Sequence, residues 1–195
     1  PVPGDLEVGH GHAFAPAAFY ATAVRALGRD EVDDDEVSRL FTVQQFLLRY
    51  EFMLDPDAGG EEIHRRAVEA LVAYGAIERR AGRVRVKDRA RIGEIANLIA
   101  NILESYLLML LTARDGSATA KGLEDAALAR GRAMLAADEL SRPEAVSIAN
   151  LQNASKALRE DGVLRTGTDG KVGIDTGAWQ AYVDDLSLLL RRHEA

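Results

Sequence analysis

The sequence predicts a mainly α-helical fold with two small β-hairpins, each following a helix, and three observations carry this. Apolar residues recur at helical spacing through most of the chain. The stretch "AVEALVAYGAIERRAGRVRV" (67–86) is echoed by "ASKALREDGVLRTGTDGKVGI" (154–174). Each reads as the end of an amphipathic helix, a glycine stop and two short strands around a turn, the order of a winged-helix-like unit. The third observation is bulk: 195 residues, 47% of them hydrophobic, hold a core without staples.

The first eleven residues are rich in Gly and Pro and read as irregular. Phe14, Ala18, Ala21 and Val24 place a helix over 12–27, with Gly28 as its stop. The acidic run "RDEVDDDEV" reads as a solvated helix start, favoured by the helix dipole, for a helix over 33–54. Ile63, Ala67, Leu71 and Tyr74 give the next helix, 61–75, with Gly75 as its C-cap. Strands 76–80 and 83–87 follow around Ala81-Gly82. A long helix is expected over 88–113. Its "YLLMLLTA" end is apolar all round, and its Asn97, Asn101, Glu104 and Ser105 make it a buried central helix rather than a membrane span. Then come an Ala-rich helix over 119–137 and a helix over 142–160, led by a Ser141/Glu144 capping box. Strands 163–166 and 171–174 turn at Asp169-Gly170, and a last helix over 177–192 carries a stripe led by Trp179. No low-complexity linker interrupts the chain. It is expected to form one helical domain over 1–195, with possible sub-units 12–113 and 114–195.

Composition narrows function. A net charge of -7 argues against a nucleic-acid partner, because neutralising phosphates requires a basic face. Without cysteine there is neither a disulfide framework nor a thiolate metal site. The strongest local signal is "ERRAGRVRVKDRAR" (78–91), in which seven basic residues face only Glu78 and Asp88. Strand alternation puts Arg83, Arg85 and Lys87 on one face and Val84 and Val86 on the other. With Arg79 and Arg80 they form a candidate site for phosphate or an anionic surface. The plainer reading is a solvated hairpin face, or one docked on an acidic surface of the same protein. The second hairpin is not basic: Arg165 and Lys171 stand beside Asp169 and Asp175.

His10 and His12 have no third ligand at a legible spacing, so no metal is expected there. His64 lies on a predicted helix with no Ser or Cys pattern beside it and reads as a surface or half-buried histidine. No nucleophile elbow, P-loop, zinc-protease or dinucleotide motif occurs, and no cofactor is expected.

Five blocks in order, "FAPAAFYATAV", "FLLRYEFML", "ALVAYGAIERRAGRVRV", "LESYLLMLLTARDGSATAKGLEDAALARGRAML" and "NLQNASKALREDGVL", resemble the C-terminal region of PlsB-type glycerol-3-phosphate acyltransferases, over roughly residues 12 to 165. In place of a "YYRNN"-like stretch before the first block, this sequence has "EVGHGHAF". The resemblance implies acyl transfer from acyl-CoA or acyl carrier protein to the 1-hydroxyl of glycerol 3-phosphate, in phospholipid synthesis. It also implies a cytoplasmic protein, peripheral on the inner face of the cell membrane. The family's catalytic base is the His of an H-x-x-x-x-D motif. Here Ala15, Ala17 and Glu69 stand five residues after His10, His12 and His64, so no catalytic residue carries over.

The implied role is a non-catalytic C-terminal domain. Its expected partners are the catalytic domain of the same protein and an anionic membrane surface. The apolar end of the long helix and the Trp179 stripe would then face a neighbouring domain or the bilayer. The opening at Pro1, without Met, fits sequence missing upstream. Two alternatives stay open: a tandem winged-helix-like regulatory or scaffold module binding protein or DNA, and a helical interaction domain with no ligand.

Overall fold

The computed structural model describes residues 11–55, 57–115 and 119–191. These form two compact units, the first of residues 11–46 and 52–99, the second of 47–51 and 100–191. The chain is mainly helical with two small sets of antiparallel strands.

The first unit contains helix α1 (Gly11–Leu27), strand β1 (Glu31–Asp33), helices α2 (Asp34–Leu47) and α3 (Gly60–Ala73), strands β2 (Ile77–Arg80) and β3 (Arg83–Val86), and helix α4 (Arg89–Asn97). Helix α1 is its axis. Phe19, Tyr20, Ala21, Ala23 and Val24 are almost wholly buried, and α3 and α4 pack on it. Gly28 ends α1 at φ +66, as its position predicts. Gly75 does the same after α3 at φ +74, and Ala76 N–H donates back to Leu71 O at 3.0 Å. The β2–β3 turn places both Ala81 (φ +50) and Gly82 (φ +75) in the left-handed region, the geometry whose twist suits a two-residue hairpin.

Two expectations are corrected here. The acidic run does not simply start a helix. Glu31, Val32 and Asp33 form a strand on β3, with Glu31 opposite Arg85 and Asp33 opposite Arg83, giving a three-stranded sheet in the order β1-β3-β2. Helix α2 therefore begins at Asp34 and ends at Leu47, seven residues short of the expected end at 54. The long helix of 88–113 is two helices, because the turn at Leu98–Ile99 interrupts the ladder between α4 and α5.

The second unit is built around α5 (Ala100–Asp115), against which α6 (Ala120–Ala136), α7 (Ile148–Glu160) and α8 (Thr176–Leu189) pack. Strands β4 (Leu164–Thr166) and β5 (Val172–Ile174) pair between α7 and α8. Leu103, Tyr106, Leu108, Met109 and Leu110 are buried, as a helix apolar on all sides requires. The Trp179 stripe does not face outward either: Trp179 is buried and its indole N–H donates to Leu110 O at 2.8 Å. The end of α5 and the stripe of α8 thus pack partly on one another within the unit, with Leu107, Leu111, Tyr182, Val183 and Leu190 half-buried. No single helix among the described residues is long and apolar enough to cross a membrane.

The capping box is a third correction. Pro143–Ala145 make one 3-10 turn, and Val146 (φ -91, ψ 55) then leaves helical geometry, so α7 starts only at Ile148. The N-cap positions are held by Arg142 and Ser147, and the Ser141 hydroxyl donates to Glu104 at 3.0 Å, where Arg142 holds the same carboxylate oxygen at 2.5 Å. Gly131 of α6 fits closely, since a Cβ there would lie 2.7 Å from Leu108 and 2.9 Å from Val146.

Candidate functional site

The three-stranded sheet of the first unit sorts its charges by face. Val32, Val84 and Ile77 point inward and are buried. Arg79 stands opposite Val84 and shares that inner face. Its guanidinium reaches the Asp34 carboxylate at 2.5 Å. The outer face carries Arg80, Arg83 and Arg85 together with Glu31, Asp33 and Glu78.

The acidic strand β1 thereby neutralises much of the basic hairpin. Arg83 pairs with Glu31 at 2.9 Å and lies 3.8 Å from Asp33, and Lys87 lies 3.8 Å from Glu78. Arg85 stands between Glu31 and Glu78 across both ladders. Among the described residues, Arg80 and Arg85 are the two of the five predicted site residues that make no ion pair. With Ala81, Arg83, Glu31 and Glu78 they line a shallow depression of about 270 Å³. The structure therefore brings the predicted residues onto one sheet but splits them: Arg79 inward, Arg83 and Lys87 paired, Arg80 and Arg85 outward.

Beneath Arg79 lies a polar cluster invisible in the sequence. Asp34 is 6% exposed, not a solvated helix start, and accepts from the Tyr20 hydroxyl at 2.5 Å. His64 Nε2 lies 2.9 Å from Ser38 Oγ and 3.8 Å from Asp34. The imidazole packs edge-on against Tyr20 and Phe41, at centroid distances of 5.2 and 5.3 Å. Burial pushes the His64 pKa below its ordinary value, and Arg79 adds to this while Asp34 opposes it. Burial, then the bond to Asp34, hold the Tyr20 phenol well above its usual range.

Ser, His and Asp are together here, but not as a hydrolytic triad. That mechanism needs the carboxylate on one ring nitrogen and the nucleophile on the other. Here hydroxyl and carboxylate both approach Nε2, and Arg79 and Tyr20 already occupy the carboxylate. The arrangement ties α1, α2, α3 and β2 together.

A comparable tie exists in the second unit. Arg49 donates to Asp161 at 2.9 Å and to Ala157 O at 3.1 Å, placing a cation at the C-terminal end of α7 where the helix dipole favours it. Tyr182 donates to the same Asp161 at 2.8 Å, and Tyr50 bonds Glu160. Burial pushes the neighbouring Glu51 carboxyl up.

No group of three or more potential metal ligands occurs among the described residues. His10, the side chain of His12 and His193 lie outside them.

The class defined is a mainly helical protein whose two units each carry a helix followed by an antiparallel strand pair, with its ionisable clusters committed to internal ties. The model of the glycerol-3-phosphate acyltransferase C-terminal region matches residues 11–167, from the start of α1 to the residue after β4, and the chain belongs to that family. No curated protein matches the sequence.

Proposed function

We propose that the chain is the non-catalytic C-terminal domain of a glycerol-3-phosphate 1-O-acyltransferase of phospholipid synthesis, supporting a catalytic domain carried elsewhere in the same protein. The observation that carries this reading is the family match across both units in a sequence with no H-x-x-x-x-D motif. Among the described residues, the histidine with a carboxylate nearby, His64, has Ser38 and Asp34 on one nitrogen. Its supporting role is to present a preformed surface to the catalytic domain, since both units have closed cores of their own.

The test is deletion and restoration in the parent enzyme. Removing residues 11–191 should abolish acyl transfer to glycerol 3-phosphate, and supplying the chain separately should restore part of it. Undiminished activity after the deletion, with the enzyme equally stable, would refute a supporting role.

Contact with an anionic membrane surface is a smaller part of the proposal. Arg80 and Arg85, which make no ion pair among the described residues, supply most of it, at about 1 kcal/mol each near such a surface. That is enough to orient a docked protein and too little to anchor one.

A further inference from the structure

The first unit carries a second basic feature, away from the outer sheet face. A cleft of about 230 Å³ opens between the C-terminal part of α1, the end of β3 and the start of α4. Its floor is apolar: Val24 and Ile92 are almost wholly buried, with Val86 beside them. Its rim is cationic, formed by Arg25, Arg29 and Arg89, and no carboxylate lines it.

Each rim guanidinium is held by a neighbour outside the cleft. Arg25 donates to Asn97 at 2.9 Å, Arg89 to Asp30 at 2.6 Å, and Arg29 pairs with Glu36. Asp30 is itself fixed through its carbonyl, which accepts from Val86 N–H at 2.8 Å. A guanidinium has five donors in a rigid fork, so Arg29 and Arg89, each held by one carboxylate, keep donors for a further acceptor. The Asp30 side chain is 82% exposed, so solvent screens its charge more than a buried carboxylate's.

The independent observation is Gly93. It sits inside α4, where glycine is among the worst helix formers, and it lines the cleft. Nothing lies within 4 Å of the position its Cβ would take, and its φ is not in the left-handed region. Neither packing nor backbone geometry requires glycine here. A side chain at this lining position would start in open space. Gly131 is the contrast, a helical glycine whose Cβ would strike Leu108 and Val146.

We propose that this cleft binds the phosphate head of an amphiphile, with the first carbons of its apolar chain on Val24, Val86 and Ile92. Three guanidiniums on one rim supply enough donors for the three free oxygens of a phosphate monoester, and the apolar floor distinguishes an alkyl-bearing ligand from the bare ion. The volume holds the head and a short segment of chain, so the remainder of the ligand leaves through the mouth. The cleft owes nothing to the acyltransferase reading, since the same lining would select the same ligand in any protein.

The test uses the full chain and three probes: octyl phosphate kept monomeric, inorganic phosphate, and vesicles containing an anionic phospholipid. By calorimetry, octyl phosphate should bind at least tenfold more tightly than inorganic phosphate. The R25Q/R89Q variant should lose at least tenfold. Gly93→Leu should fill the cleft and abolish binding while its helical circular dichroism and melting temperature are kept or raised, which separates blocking from misfolding. Vesicle binding with the same dependence on Gly93 assigns the head to bilayer lipid; binding of octyl phosphate with inert vesicles assigns it to a soluble ligand. Equal affinity for inorganic phosphate, no binding of octyl phosphate or vesicles, or binding unchanged in Gly93→Leu overturns the proposal.

Discussion

Asp34 offers the sharpest test of how the first unit is held together. Asp34→Ala removes the acceptor of the fully buried Tyr20 hydroxyl and the partner of Arg79. An unsatisfied buried hydroxyl costs about 1–3 kcal/mol. Arg79 is 45% exposed and rehydrates when released, so its share is up to about 1 kcal/mol. The sum is about 1–4 kcal/mol, above the ~0.5 kcal/mol of an ordinary surface change. Glu31→Ala is the control, because the Glu31–Arg83 pair is about half exposed on both sides and should cost under about 1 kcal/mol. Asp34→Asn keeps an acceptor for Tyr20 and should fall between the two.

Urea unfolding of the three variants gives these differences directly. At about 2–4 °C per kcal/mol for a chain of this size, Asp34→Ala should also melt roughly 2–16 °C lower. A cycle with Tyr20→Phe should show coupling of about 1 kcal/mol or more between the two residues. If Asp34→Ala costs no more than Glu31→Ala, the buried tie contributes nothing and the reasoning fails.

Three further predictions use other features. Gly93→Ala and Gly131→Ala make the same change inside a helix but should have opposite signs in chemical denaturation. The first gains about 0.5–1 kcal/mol of helix propensity. The second loses about 1–2 kcal/mol net, because the overpacking against Leu108 and Val146 outweighs that gain. His64 has a folded pKa below its unfolded 6.5, so the unfolded state binds the proton more readily. Its contribution is complete above pH 6.5 and lost as pH falls through the lowered folded value, and His64→Gln should flatten that part of a stability-against-pH curve. Charge reversal at Arg80 and Arg85 together should weaken co-sedimentation with anionic vesicles more than reversal at Arg83 and Lys87, which are already paired; equal effects would show that pairing does not silence them.

The helix-then-hairpin elements were legible in the sequence because their punctuation is local. Gly75, Ala81-Gly82 and Asp169-Gly170 sit where a left-handed residue or tight turn is required, and the core positions between them keep helical spacing. Strand β1 was not legible. Three residues flanked by carboxylates resemble a helix start, and what makes them a strand is pairing with Arg83 and Arg85, 50 and 54 residues away from Asp33 and Glu31. The burial of Asp34 is hidden for the same reason, its partners being Tyr20 and Arg79. The break at Leu98–Ile99 carries no Pro or Gly to announce it.

The charges of the hairpin follow the same pattern. A run of seven basic residues was visible in "ERRAGRVRVKDRAR", but not the acidic strand that answers it. The cleft rimmed by Arg25, Arg29 and Arg89 draws on two separated segments, and its one local trace was an unforced glycine inside a helix.

The central claim is that this domain serves an acyltransferase without performing the chemistry. The most direct measurement supplies the purified chain with labelled glycerol 3-phosphate and an acyl-CoA, alone and together with the separately expressed catalytic domain. The account predicts no acylated product from the chain alone and a gain in product when the two are combined. Turnover by the chain alone that tracks its concentration and disappears in His64→Ala would contradict it.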